Sequence, residues 1–301
     1  KMKSRILLKK RLNRPVGMEY YGEELANLFF GRNIETEILQ KQIMEHKVSL
    51  LIGSSGVGKT SLLCAGLMNQ LKLIGWPVAI VRPLTAPCEN LKRLIWQQLL
   101  ANALPAELDL PGVFDAVSVA HEGAHVLIIV DQFEDVLSPS NPSDIEELVA
   151  GLLSFHRSTY SNVHLLLCYR GDVESELGRI WQVISGSAAG LPRTYLGPLT
   201  KATAENIVLK TLDALGIKTI GHTNQPSSFI DSIIEDIDTE SRLNGHVGVY
   251  PPFIQMVLAH IFETADGKKR YSVVKYEVAG GSRKVIADYL ITQLKYLGDD
   301  I

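Results

Sequence analysis

Residues Leu50 to Leu63 read LLIGSSGVGKTSLL. An apolar run, VSLLIG from Val48 to Gly53, leads straight into a stretch of small residues, then a lone lysine and a hydroxyl. Gly53, Gly58, Lys59 and Thr60 satisfy G-x-x-x-x-G-K-[ST], with a strand pattern before it and a helix pattern after it. Each residue type has a reason. Glycines permit dihedrals that turn successive N–H groups inward toward phosphate oxygens. The helix that starts near Lys59 adds the positive end of its dipole. The Lys59 ammonium is expected to bridge the β- and γ-phosphates, and the Thr60 hydroxyl to ligate Mg²⁺.

Three more apolar runs follow: PVAIVRPL (Pro77 to Leu84), HVLIIVDQF (His125 to Phe133) and VHLLLCYR (Val163 to Arg170). Helical patterns such as TSLLCAGLMNQLKLIG and ENLKRLIWQQLLANAL separate them. Uninterrupted apolar strands alternating with helices predict a parallel sheet covered on both faces, an α/β fold. RTYLGPL (Arg193 to Leu199) is a candidate fifth strand, and SDIE (Ser143 to Glu146) a capping box opening the helix before the fourth. Beyond Leu199 the strands are expected to stop. TAENIVLKTLDALG, SSFIDSIIEDIDTES and PPFIQMVLAHIFETA predict three amphipathic helices, and SRKVIADYLITQLKYLG one more.

HVLIIVDQFED places Asp131 at the end of an apolar strand, where it would hold Mg²⁺ directly or through water. Glu134 or Asp135 would polarise the attacking water; the alternative is that both acids cap the next segment. Arg170 leaves the end of the fourth strand, where open parallel sheets collect ligands. It would sense a γ-phosphate, or else pair with Asp172. No N-K-x-D guanine-reading element occurs, which favours ATP.

The 301 residues, 46% of them hydrophobic, are enough for two domains, or one domain plus an appendage, and for a full-sized core. A net charge of −3 argues against bulk attraction to nucleic acid. Lys1 to Arg14 nevertheless carry seven Lys/Arg and no acid, which reads as a solvated arm or linker, with a nucleic-acid or phospholipid contact as the alternative. The sparse cysteines Cys64, Cys88 and Cys168 show no metal spacing and suggest a reduced, cytoplasmic setting. No run is long enough to span a bilayer, and the start at Lys1 reads as a trimmed piece. HEGAH (His121 to His125) matches H-E-x-x-H, but Gly123 and the adjoining strand make it a turn.

Taken together, ELANLFFGRNIETEILQKQI upstream of the loop, VDQFED, LLLCYRGD, PPFIQMVLAHIFE and KYEVAGGSRKVIADYL resemble the STAND class of signal-transduction ATPases. The resemblance runs from about Glu19 to Leu297 and is greatest to the prokaryotic novel STAND branch, related to NACHT and apoptotic-ATPase proteins. It implies a P-loop NTPase with a parallel five-stranded sheet in the order 5-1-4-3-2. Residues 1–18 would be an arm, 19–200 the nucleotide-binding domain, 201–267 a helical lid and 268–301 the start of a winged-helix domain entered at Gly280 and Gly281. Phe30, Gly31 and Arg32 match the element lying against the adenine. Gly53, Ser54, Ser55, Gly56, Val57, Gly58, Lys59, Thr60 and Ser61 match the phosphate loop, Asp131 the Mg²⁺ aspartate, Glu134 and Asp135 the trailing acids, and Arg170 the sensor arginine. Pro252, next to Pro251, matches the proline that closes over the base, although Tyr250–Pro251–Pro252 stands where Gly-x-Pro is usual. Such proteins are ATP/ADP switches with slow Mg-dependent hydrolysis. They open on a trigger, of protein or phage origin, sensed by a region outside this chain, and then self-oligomerise. A DNA-associated AAA+-like ATPase and a nucleotide-locked scaffold are the competing readings.

Overall fold

The computed structural model describes residues 19–298 apart from 85, 101–102, 106, 139–141, 187–189, 218, 221–225 and 266–267. The basic arm Lys1 to Arg14 lies outside the described residues. Two compact units divide the chain, and neither is continuous in sequence. One takes Ile34–Ser55 and Gly66–Leu196; the other takes Lys1–Asn33, Gly56–Ala65 and Gly197–Ile301.

The first unit is built on five strands: β1 (Val48–Gly53), β2 (Val78–Val81), β3 (Val126–Val130), β4 (Val163–Arg170) and β5 (Arg193–Leu196). Their order is β2-β3-β4-β1-β5, the expected one, and every pairing is parallel. β1 and β3 are buried along their whole length, and β4 up to its last residue. The edge strands β2 and β5 alternate buried and more exposed positions. This division follows from covering both faces of a parallel sheet, which leaves no solvated face to its central strands. Helices Pro87–Leu99, Leu110–Ala120, Pro142–Arg157 and Glu174–Ser185 cover the face that carries Leu50, Ile128 and Leu165. Phe114 packs on Phe155 with centroids 4.6 Å apart, and Trp181 lies between Phe133 and Tyr169 at 5.2 and 5.6 Å.

The expected capping box is shifted. The helix begins at Pro142, so Ser143 lies inside its first turn. Asp144 instead reaches across to accept from the Cys88 amide at 2.9 Å, serving the start of helix Pro87–Leu99, whose own N-cap, Ala86, has no side-chain acceptor. Burial, with Glu147 beside it, pushes the Cys88 thiol up to about 12.

In the second unit, helices Lys201–Ala214, Pro226–Leu243, Pro251–Ile261, Val273–Ala279 and Gly281–Gly298 surround one apolar core that includes Val208, Ile234, Ile237, Val257 and Ile261. The expectation that strands end at Leu199 is corrected here. β6 (Thr219–Ile220), β7 (Phe262–Ala265) and β8 (Lys268–Tyr271) form a small sheet in the order β6-β8-β7. The stretch PPFIQMVLAHIFETA is therefore helical only to Ile261. Cross-strand pairing outweighs continuation of the helix: Phe262 faces Tyr271, and Glu263 forms an ion pair with Arg270 in the register β7 makes with β8.

Candidate nucleotide-binding site

Gly53 ends β1 between Arg170 of β4 and Leu196 of β5. The loop then turns on two left-handed glycines, Gly56 at φ 72° and Gly58 at φ 104°. A helix starts at Lys59–Ser61, passes through a π-coiled stretch, Leu62–Met68, and ends as α-helix over Asn69–Leu73. π-Bulges of this kind concentrate at functional sites. The amide of Leu62 already bonds to the Gly58 carbonyl at 2.9 Å, so the loop joins the helix without a break.

Three supports hold this loop from outside. Arg32, only 6% exposed, donates through Nη2 to the carbonyl of Val57 at 3.2 Å and to that of Gly197 at 2.7 Å. The Ser61 hydroxyl accepts from the Tyr21 amide at 3.1 Å. A Cβ built on Gly56 would stand 1.9 Å from the Tyr250 hydroxyl and 3.3 Å from Pro252 Cγ. Gly31, at φ 81°, is pressed against Ile207, whose Cδ1 would lie 2.6 Å from an added Cβ. Arg32 and Pro252, two residues carried over from the resemblance, thus meet the phosphate loop itself. Tyr250 meets it too and was not anticipated. It stacks on His246 with centroids 3.9 Å apart, and burial raises its phenol.

The second half of the predicted constellation sits at the carboxyl ends of β3 and β4. The Asp131 amide bonds to Val81 of β2 at 2.9 Å, which fixes the backbone. Its side chain is 1% exposed. Oδ1 accepts from the Gln132 amide at 3.1 Å, and Oδ2 lies 3.2 Å from the Arg82 guanidinium. Glu134 and Asp135 follow on the 3-10 turn Phe133–Leu137, anchored by buried Phe133. Burial raises the Asp135 carboxyl, opposed by Arg82, with the charge of Asp131 adding to the rise. The Leu84 backbone also pulls this carboxyl down, the smallest of the four influences. Arg170 is 46% exposed and takes the pairing weighed against its sensor role: Nε donates to Asp172 Oδ1 at 3.0 Å, and Nη2 to Oδ2. That pairing, reinforced by the charge of Glu134, raises its guanidinium further.

These residues suit a nucleotide and its metal. The loop carries left-handed glycines with nothing within 4 Å of a Cβ at Gly58, and a buried carboxylate closes an apolar strand. The HEGAH segment is a turn between helix Leu110–Ala120 and β3. His121 bonds to the Leu99 carbonyl and His125 to His164.

Solved structures share the fold. The Walker-type ATPase paby2304 of Pyrococcus abyssi superposes with TM-score 0.59 at 14% identity, over 90% of this chain and 76% of that one. The Aeropyrum pernix ORC2 protein in its ADPNP–ADP complexes gives 0.54 at 15% identity, over 85% and 68%. Drosophila ORC bound to DNA gives 0.51 at 16%, over 79% and 63%. A search of curated proteins found no match. The sequence profile described as Novel STAND NTPase 1 matches residues 16–297, nearly the whole length. Because that match spans nearly all of its residues, the chain belongs to the novel STAND NTPase 1 family.

Proposed function

We propose that this chain is an ATP/ADP-binding switch that hydrolyses ATP slowly with Mg²⁺. The observation that carries the reading is the packing of Tyr250 and Pro252 against Gly56, which ties the phosphate loop to the start of helix Pro251–Ile261. A change in what the loop grips is thereby felt by the C-terminal helices, the coupling a nucleotide switch needs. Thr60 and Asp131 are the residues that hold Mg²⁺ in this reading. The metal, when bound, neutralises charge on the phosphate oxygens. Lys59 and the loop amides orient the phosphates, so catalysis is positioning and electrostatics. Asp135 feels Arg82 and the Leu84 backbone, whereas Glu134 interacts with the charge of Arg170. That favours Glu134 as the group that orients water. Arg170 acts as sensor by exchanging Asp172 for a phosphate oxygen.

Opening on a trigger, self-oligomerisation and a role in signalling or antiphage defence complete the proposal and rest on family membership. Calorimetry with ATP, ADP and GTP, followed by single-turnover hydrolysis, tests its chemical core. Micromolar ADP binding with slow turnover supports it. Glu134→Gln is expected to slow hydrolysis by roughly 100-fold while sparing affinity. Binding without any turnover points to the nucleotide-locked scaffold instead. A DNA-associated ATPase predicts salt-dependent duplex binding that is lost on removing Lys1 to Arg14.

A further inference from the structure

Arg82 is absent from every motif that points to the site, yet it touches the most buried acid there. It leaves the carboxyl end of β2, next to β3, where Val81 pairs with Val130. Its Nη2 stands 3.2 Å from Asp131 Oδ2, with Arg82 44% exposed and Asp131 at 1%. Two non-glycine residues among those described have positive φ, and both flank this pair: Leu84 at 55° and Gln132 at 59°. L-residues hold that conformation at a cost and only where the surroundings fix it. The Leu84 backbone in turn lowers the Asp135 carboxyl. Arg82 to Asp131 therefore ties the turn after β2 to the turn after β3.

A carboxylate this deep needs a positive partner. Arg82 supplies one on Oδ2, and the Gln132 amide has taken Oδ1. A divalent cation drawn to the same carboxylate would meet a guanidinium at the oxygen it needs, and two cations at one oxygen repel. We propose that Arg82 is a positioning residue that competes with Mg²⁺ for Asp131 and so sets the Mg²⁺ concentration at which the site loads. This rests on the reading above that Asp131 holds the metal of a bound nucleotide. The exchange is inexpensive, because Arg82 is nearly half exposed on a long stem and regains water when it turns out.

The test uses the 301-residue chain and a fluorescent ADP analogue, first in EDTA and then across a Mg²⁺ titration. Arg82→Gln is expected to lower the Mg²⁺ midpoint about two- to fivefold, the size of a half-exposed charge pair. Affinity in EDTA is expected to stay within about twofold of wild type. A midpoint equal to or above wild type overturns the inference and makes Arg82 a support for Asp131 rather than its competitor. Arg82→Met keeps the apolar stem and carries the same expectation if the glutamine variant does not fold. In the wild type, the Arg82 Nε–H resonance of ¹⁵N-arginine-labelled protein should move as Mg²⁺ is added with nucleotide; an unmoved resonance overturns the exchange. Asp131→Asn separates the two layers. It should abolish the Mg²⁺ dependence of nucleotide binding. If wild type itself shows no Mg²⁺ dependence, the metal reading and the inference fall together. If only the Arg82 variants match wild type, the inference falls alone.

Discussion

Lys59 and Gly56 carry different burdens in the same loop, and their variants should fail differently. Lys59→Ala removes the one side-chain cation the loop motif provides for phosphate, so nucleotide affinity is expected to drop at least about 100-fold with the fold intact. Calorimetry that still finds tight ATP binding would refute the role. Gly56→Ala asks an L-residue to sit at φ 72° with a methyl 1.9 Å from the Tyr250 hydroxyl. The backbone strain alone costs about 1 to 3 kcal/mol. Removing the hydroxyl as well, in Gly56→Ala/Tyr250→Phe, should recover part of the lost melting temperature, a coupling that a double-mutant cycle measures. The loop was legible because its chemistry forces its letters: glycine for dihedrals, lysine for phosphate, threonine for metal. Arg82 and Tyr250 were not legible. An arginine ending one strand and a tyrosine before two prolines acquire meaning only when the fold brings Asp131 and Gly56 to them. Leu84 and Gln132 gave no sign either, since neither residue type advertises a left-handed backbone.

At the scale of elements, the strands were read from burial, and this explains which were missed. β1, β3 and β4 are buried almost end to end, so each shows as an unbroken apolar run. β7 and β8 spell FETA and KKRY, too short and too charged for that signal, and their stability comes from partners such as Tyr271 and Arg270 on the neighbouring strand. The Asp266–Gly267 dipeptide between them was the available hairpin cue. The opening ends of β3 and β4 make a separate prediction. His164 Nε2 and His125 Nδ1 are 3.0 Å apart, both rings stack on Trp76, and His164 Nδ1 faces the His46 carbonyl. Burial, with His125 and Lys47 nearby, lowers the His164 imidazole below its usual value, against the pull of the His46 and Ile43 carbonyls. A depressed histidine binds its proton more weakly folded than unfolded. Stability is therefore expected to fall as pH drops through the unfolded value of about 6.5 and to level off below the folded one. Thermal melts between pH 7.5 and 5 should show this slope. His164→Gln should flatten it, and an unchanged slope would assign the loss to other groups.

For the whole molecule, the compact units cut across the order of the chain. Gly56–Ala65 groups with Gly197–Ile301, while Ile34–Ser55 groups with the rest of the sheet. Sequence order alone suggested consecutive domains because composition changes near Thr200, and composition carries no record of which distant segment a loop packs against. Mg·ADP at about 100 times its Kd should stabilise the folded chain by about 2.7 kcal/mol. For a chain of this size that raises the melting midpoint by a few degrees. Lys59→Ala should abolish the increment, and an increment that survives in that variant would place the ligand elsewhere.

The three cysteines turn this into a chemical clock. None forms a disulfide, and all are hidden: Cys168 within β4, Cys88 at the head of helix Pro87–Leu99, and Cys64 in the π-coiled stretch behind the phosphate loop. An alkylating reagent can mark each one only after its own surroundings part, so mass spectrometry of timed, quenched samples would rank three local openings in one unmodified chain. A nucleotide that grips the loop should delay the Cys64 mark well before it delays the mark in the central strand.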